Sequence, residues 1–208
     1  MKEFLRDGRV DRGLTFSDYL QLMEQQKQIV PTDEMDETRK SRLRTLPLNH
    51  QRVTRILKMF SVCSELRRFL ETIDSPQRWM VLSEPWCGDS AQCLPYLAKI
   101  AECTPRITLR ILLRDENLEI MDQYLTDGTR GIPKLVSFDE RGEELFRWGP
   151  RPRGAQEEFL HAKAEGLDKP HALERVHLWY GRDRGKAVQD EIIALLKRSR
   201  VSPQPGAF

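Results

Sequence analysis

A chain of 208 residues is long enough to bury one good-sized hydrophobic core, with or without an extension. Its 34 basic and 32 acidic residues nearly cancel to a net charge of +2, which gives no reason to expect nucleic acid or an anionic membrane as a partner. No apolar run approaches the ~18 residues of a membrane span, and the first seven residues lack the apolar segment of a secretory signal, so a cytoplasmic protein is expected.

The first 46 residues are expected to form a helical extension. Residues 15–30 carry capping residues and a partial apolar face, which predict a first helix. Residues 32–45 are almost wholly charged or polar and predict a linker or a solvated helix. Pro47 marks the next break, and apolar residues at spacings of three and four then predict one long helix over 49–73, with Asn49 as its cap.

The middle of the chain alternates strands and helices. Strands over 78–83 and 107–113 are too apolar to face water, and helices over 90–102 and 116–125 follow them. A hairpin of two strands is predicted over 134–148. A mixed sheet with helices on both faces buries these strands best, which predicts an α/β fold.

The last third of the chain reads as helical. The patterns lie at 154–165, 170–180 and 186–199. We assign an α/β domain to 47–200, with a helical insert at about 151–185 before the last helix. Residues 201–208 are predicted to be a flexible tail.

One cysteine lies where a strand meets a helix. Cys87 precedes the helix predicted from Ser90, and the N-terminus of a helix stabilises a thiolate through its dipole and its free N–H groups. We therefore expect Cys87 to have a depressed pKa and to be the most reactive of the four thiols, with Ser90 able to donate to the thiolate and Asp89 opposing it somewhat. Taken alone, Cys87 would be interpreted as a packed apolar residue. Its neighbours Trp86 and Gly88, and its position between a strand and a helix, favour an active-site cysteine instead.

The other three cysteines give weaker indications of a catalytic role than Cys87. Cys93 is the nearby candidate to resolve a disulfide on Cys87, yet six residues of helix rise ~9 Å, whereas relaxed disulfides need Cα atoms within ~7 Å. The first helical turn would have to unwind; otherwise Cys93 is a packed helix residue, and both interpretations stay open. We expect Cys63 in the core and Cys103 to be incidental. No Cys-x-x-Cys spacing occurs, so neither a metal site nor a cofactor is expected.

Nothing in the sequence links a histidine to Cys87. The four histidines are His50, His161, His171 and His177. Trp179 and Tyr180 are expected to pack the insert onto the domain, with a surface for a partner as the alternative.

Two segments resemble the active site of thioredoxins. The run Glu84–Ser90, Glu-Pro-Trp-Cys-Gly-Asp-Ser, is similar to the Trp-Cys-Gly-Pro-Cys segment that joins a central strand to a helix in that family, and Pro95 falls where that helix carries a proline. Gly131–Pro133 is similar to the loop whose proline is cis. The resemblance covers roughly residues 50–150 plus the last helix. It implies a thioredoxin-like fold, a mixed central sheet flanked by helices.

A narrower resemblance is to uncharacterised bacterial thioredoxin-like proteins. It is carried by the active-site segment, by Trp-Gly-Pro-Arg-Pro at 148–152 and by Leu-Trp-Tyr at 178–180.

The family resemblance implies a thiol–disulfide oxidoreductase. Because Ser90 stands where the second cysteine is expected, the chain would act through Cys87 alone, forming mixed disulfides with protein or low-molecular-weight thiols that glutathione, a partner thiol or Cys93 releases. The resemblance also implies that Pro133 is cis and lies beside Cys87. The implied catalytic residues are Cys87, Ser90 and Cys93, and the implied substrate-binding residues are Trp86, Gly88, Ile132 and Pro133.

Three departures from the family pattern leave alternatives open. Besides Ser90, Asp89 replaces a proline, and Val81 stands where thioredoxins bury a carboxylate. One alternative is a non-catalytic module that binds a protein in the groove at Pro133. A further one is an iron–sulfur carrier, because Cys-Gly-Asp-Ser distantly resembles the Cys-Gly-Phe-Ser of monothiol glutaredoxins.

Overall fold

The computed structural model describes residues 1–201, and a four-stranded sheet forms its centre. The strands are β1 (Gln77–Ser83), β2 (Ile107–Leu113), β3 (Lys134–Asp139) and β4 (Glu144–Trp148). Their order is β2-β1-β3-β4, with β1 parallel to β2 and antiparallel to β3, and with β3 and β4 forming the hairpin. The predicted mixed α/β fold is confirmed.

Helices cover both faces of this sheet. Within residues 1–201 they are α1 (Glu3–Arg6), α2 (Phe16–Lys27), α3 (Glu37–Met59), α4 (Ser64–Glu71), α5 (Gly88–Ala101), α6 (Leu118–Met121), α7 (Arg153–Ala164), α8 (Lys169–Asp183) and α9 (Lys186–Val201). Side chains alternate between the two faces along a strand, so β1 contributes to two hydrophobic clusters. Trp79 and Val81 belong to one cluster, together with residues of α2 to α5, α8 and α9. Met80 and Leu82 belong to the other, together with residues of α1 and α6.

Helix α3 differs from its prediction, because Pro47 lies inside it rather than at a break. The helix begins at the Asp36 cap, whose carboxylate accepts the N–H of Arg39 at 2.8 Å, so the polar stretch before Pro47 is its first half. Asn49, expected as a cap, is instead fully buried in the same helix. A buried face outweighs the local preference of proline to end a helix.

The single helix predicted over 49–73 is two helices. Phe60 takes an extended conformation at the end of α3, and Cys63 is the N-cap residue of α4. Cys63 is therefore exposed, and its expected place in the core is wrong because the break takes it off the apolar face. The helix predicted over 116–125 is shorter still: after a 3-10 turn at Arg114–Glu116 only α6 follows, and the non-helical Asn117 separates the two.

The N-terminal segment packs directly on the sheet. Leu14 pairs with Ile111 at the open edge of β2, and Tyr19 and Met23 of α2 are buried in the core. No helix within residues 1–201 is long and apolar enough to cross a membrane. The division into an extension, a domain and an insert stays a prediction. The tail predicted for 201–208 lies, apart from the backbone of Val201, outside the described residues.

Candidate functional site

Cys87 is the N-cap residue of α5, at the end of the loop that follows β1. Its Sγ accepts the backbone N–H of Ser90 at 3.5 Å, and its thiol donates to the carbonyl of Ile132 at 3.3 Å. The Ile132–Pro133 peptide bond is cis, as the resemblance implied. Half-buried, Cys87 thus lies against the loop that contains Pro133, and the two segments singled out in the sequence meet in space.

Helix α3 holds the loop that carries Cys87. The buried amide of Asn49 donates to the carbonyl of Pro85 at 3.0 Å, and the hydroxyl of Thr45 donates to the carbonyl of Trp86 at 3.0 Å. These bonds satisfy backbone carbonyls that no strand or helix uses. The backbone just before Cys87 is thereby fixed by side chains one turn apart on one helix.

The indole of Trp86 lies between two guanidinium groups. Arg42 stacks over the ring at 4.3 Å and Arg114 at 4.9 Å, and both also pair with Asp115, at 3.0 and 2.6 Å. The backbone N–H of Asp115 in turn donates to the buried Glu84 carboxylate at 2.8 Å. Cation–π contacts of this kind hold an aromatic ring in place. Trp86 is therefore a fixed wall beside the thiol.

Burial raises the pKa of the Cys87 thiol to about 11, and the carboxylate of Asp89 adds to the rise. The N–H groups of Ser90 and Asp89 act in the opposite direction but do not outweigh it. The expectation of a depressed pKa for Cys87 is therefore wrong, because burial destabilises the thiolate by more than the N-terminus of the helix stabilises it. At pH 7 only about one thiol in 10⁴ is ionised at such a pKa.

The hydroxyl of Ser90 is buried near the Cys87 sulfur. The residue is 1% exposed, and its Oγ has no hydrogen-bond partner among residues 1–201. It nevertheless lies close enough to Cys87 to lower the pKa of the thiol. Buried polar groups are normally hydrogen-bonded. This hydroxyl is therefore free to donate a hydrogen bond to the Cys87 sulfur when the sulfur is negatively charged.

Asp89 is bound by groups from the C-terminal half of the chain. Arg151 approaches its Oδ2 through Nε at 2.9 Å and Nη2 at 2.8 Å, and the hydroxyl of Tyr180 donates to its Oδ1 at 3.0 Å. The thiol of Cys93 donates to the Tyr180 oxygen at 3.5 Å. Buried charges persist when they are paired and hydrogen-bonded in this way. The network ties α8 and the segment before α7 to the first turn of α5.

Gly88 leaves room for His177 and Arg52. A Cβ at position 88 would lie 2.9 Å from the His177 ring and 3.3 Å from Arg52 Nη1. Burial, followed by the charges of Arg52 and Arg151, lowers the pKa of His177 to about 4, so the ring is neutral at pH 7. The expectation that no histidine is linked to the Cys87 region is wrong, because α8 folds back over the start of α5.

Burial raises the pKa of both Cys93 and Cys103. Cys93 is fully buried within α5, and burial raises its pKa well above the usual value. Cys103 is half-buried, with its thiol bonded to the carbonyl of Lys99. Within residues 1–201, no three histidine, cysteine or acidic side chains come together in a way that could hold a metal ion. A role for Cys93 stays a prediction.

Sequence reasoning gave Arg52, Arg151 and His177 no role in the site, and it gave Tyr180 a packing role but not its bond to Asp89. Arg151 and Tyr180 lie 62 and 91 positions from Asp89, beyond the reach of any local pattern. The available signal was the Trp-Gly-Pro-Arg-Pro and Leu-Trp-Tyr segments, whose unusual composition marked them without assigning a task.

Comparisons with known proteins identify the family and the fold. A family model described as Thioredoxin matches residues 37–165. A crystal structure of a protein of unknown function from Pseudomonas aeruginosa is similar over 91% of this chain and 95% of its own, with a TM-score of 0.62 and 20% identity. An HIV epitope-scaffold is similar over 90% and 94%, with a TM-score of 0.59 and 20% identity. At this identity the two structures show the fold alone. No curated protein is similar enough to match.

Proposed function

The chain belongs to a thioredoxin family, and from that premise we propose that it exchanges thiols and disulfides through Cys87 as its one reactive thiol. The observation that carries the proposal is the position of this thiol. It caps α5, accepts the N–H of Ser90 and lies against the carbonyl of Ile132. A sulfur so placed has donors for its negative charge on one side and a backbone edge for a substrate on the other.

In the first step Cys87 gives up its proton and its sulfur attacks one sulfur of a disulfide. A new S–S bond forms to Cys87, the old one breaks, and the leaving thiolate takes up a proton, so charge is balanced. The N–H and the unpaired hydroxyl of Ser90 stabilise the attacking thiolate. Because the resting pKa is about 11, the enzyme favours disulfides whose leaving thiol is acidic.

In the second step a thiol from outside the site releases the mixed disulfide. Position 90 offers a hydroxyl, which cannot form a disulfide, and Cys93 is buried inside α5 and bonded to Tyr180. A small thiol such as glutathione attacks the sulfur bound to Cys87, forms the new disulfide and returns Cys87 to its thiol form. Resolution by Cys93 requires α5 to unwind before residue 93.

The walls of the site bind the substrate. Trp86, fixed between two arginines, shields one side of the sulfur, and Gly88, having no side chain, lets His177 and Arg52 lie close to the site. Ile132 and Pro133 form the opposite wall, where the Ile132 carbonyl now occupied by the thiol becomes free once the mixed disulfide forms.

Thiol-dependent turnover tests this proposal. The assay is reduction of a small neutral disulfide, bis(2-hydroxyethyl) disulfide, by glutathione, and Cys87→Ser is expected to abolish the protein's contribution. The matched control is Cys63→Ser, which removes an exposed thiol outside the site and leaves turnover at the wild-type rate. Equal turnover by wild type and Cys87→Ser would overturn the proposal.

A second candidate is a protein-binding module, which the raised pKa of Cys87 favours. A thiol that is almost wholly protonated at neutral pH suits a buried groove wall as well as a nucleophile. Complementation of a deletion strain separates the two. For a module Cys87→Ser retains biological activity, whereas for an exchange enzyme it does not.

A further inference from the structure

Among residues 1–201, one cation near Gly88 has no ion-pair partner. Arg52 on α3 is half-buried, with Nη1 3.3 Å from where a Cβ of Gly88 would be, at the residue next to Cys87. Within residues 1–201 the guanidinium makes one hydrogen bond, from Nη1 to the neutral amide oxygen of Asn49 at 3.0 Å, and it forms no ion pair there. A guanidinium in such a place keeps most of its five N–H donors for another group.

The other arginines of the site are already paired. Arg42 and Arg114 share Asp115, and Arg151 is bound to Asp89. The Asp89 carboxylate acts on Arg52 through space, but its oxygens bond Arg151 and Tyr180. One turn further along α3, Arg55 adds a second positive charge to the same side. The positive charge at Arg52 is therefore left for a ligand.

A second feature points to a ligand at the same spot. The Ser90 hydroxyl is 99% buried, unbonded within the described chain and close to the Cys87 sulfur. It lies at the start of α5, where the N–H groups and the helix dipole also favour negative charge. Donors thus converge on the thiol from the helix side, and the Arg52 guanidinium lies close to Gly88, the next residue in the chain.

We propose that the site selects small disulfides that carry a carboxylate, and that Arg52 binds this carboxylate while Cys87 attacks the sulfur. The inference rests on the proposed function of Cys87. The guanidinium binds carboxylate oxygens with up to two parallel N–H donors and keeps the disulfide beside the thiol. In the exchange Cys87 joins the near sulfur, the far sulfur leaves as the thiolate and takes up a proton, and Arg52 is unchanged.

Three disulfides whose end groups are joined to sulfur by two methylenes test the inference. They are 3,3′-dithiodipropionate, which is anionic, bis(2-hydroxyethyl) disulfide, which is neutral, and cystamine, which is cationic. Each is reacted at about pH 9 with wild type, with Arg52→Gln and with Arg68→Gln, an equal loss of charge at an exposed position of α4. Mass spectrometry with fragmentation follows the adduct on Cys87, and ratios of rate constants are compared between proteins, so differences between the leaving thiols cancel.

The readout is the rate constant for the anionic disulfide divided by that for the neutral one. Arg52→Gln is expected to lower this ratio by about three- to ten-fold and to raise the corresponding ratio for cystamine, whereas Arg68→Gln leaves both ratios as in wild type. Raising sodium chloride from about 20 to about 500 mM should lower the wild-type ratio and barely affect Arg52→Gln.

Two failures are told apart by the same experiment. If Cys87 forms adducts but Arg52→Gln and Arg68→Gln give the wild-type ratio, the carboxylate site is wrong and the exchange function stands. If no disulfide forms an adduct on Cys87 in any protein, the exchange function is wrong and the inference falls with it.

Discussion

The bond from Tyr180 to Asp89 offers a stability test of the network behind Cys87. Burial raises the pKa of Tyr180 well above its usual value, so its phenol stays a donor, and it lies 3.0 Å from Asp89 Oδ1. Tyr180→Phe removes this hydroxyl and leaves the ring in place. The carboxylate keeps Arg151, and Cys93 loses a weak acceptor.

The expected loss follows from the kind of bond removed. A hydrogen bond to a charged group contributes about 1.5–3 kcal/mol, and the contribution of the thiol is small beside it. The free energy of unfolding should therefore fall by about 2–3 kcal/mol. For a chain of this size each kcal/mol moves the midpoint by about 2–4 °C, so Tm should fall by about 4–12 °C.

Tyr124 supplies the matched control. It is also buried, but its hydroxyl has no hydrogen-bond partner among residues 1–201, so Tyr124→Phe loses no bond and should be neutral or stabilising. Urea unfolding followed by tryptophan fluorescence measures both variants against wild type. The reasoning is refuted if Tyr180→Phe unfolds at the wild-type urea concentration, or if Tyr124→Phe is destabilised as much.

Three further predictions follow from the site. Because burial raises the pKa of Cys87 to about 11, its alkylation by iodoacetamide should still accelerate between about pH 9 and about pH 10.5, and a plateau below about pH 8 would contradict this. Ser90→Cys should form an intramolecular disulfide and raise reduction of insulin, since the N–H of residue 90 already lies 3.5 Å from Cys87 Sγ; an oxidised variant that loses no hydrogens by intact mass would show the geometry to be wrong. The folded-state pKa of His177 lies at about 4, below 6.5, so the unfolded chain takes up this proton first and stability falls as pH drops from about 6.5 to about 4, by about 3 kcal/mol. His177→Asn should lose correspondingly less between pH 7 and about pH 4.5 in urea unfolding, and identical losses would exclude the assignment.

The strands of the sheet could be predicted because each is marked by a short apolar stretch of the sequence. The strand predicted over 107–113 is found at Ile107–Leu113, since a continuous apolar run between turns specifies a buried strand without knowledge of the rest of the chain. Helix ends were less predictable. Proline 47 disfavours helix by its own geometry, yet the buried Leu46 and Asn49 beside it hold α3 together, and burial of this kind is invisible in a local window.

The same distinction between local and distant interactions separates the predicted features of the site from those that were missed. The meeting of Cys87 with Ile132 followed from two recognisable segments, whereas the partners of Asp89 come from distant parts of the chain and carry no pattern of their own. The protonation of Cys87 could not be read from its place on a helix. The dipole argument has the right sign, but the larger effect is desolvation, which depends on what the fold packs around the sulfur.

The central claim is that Cys87 carries the covalent intermediate, and trapping that intermediate tests it most directly. A protein with Cys63→Ser and Cys103→Ser, which retains Cys87 and Cys93, is acid-quenched during turnover of bis(2-hydroxyethyl) disulfide with glutathione and mapped by mass spectrometry. We predict a single adduct that fragmentation of the peptide assigns to Cys87 and not to Cys93, and that disappears when the disulfide is exhausted. Turnover that proceeds while Cys87 stays unmodified would contradict the account.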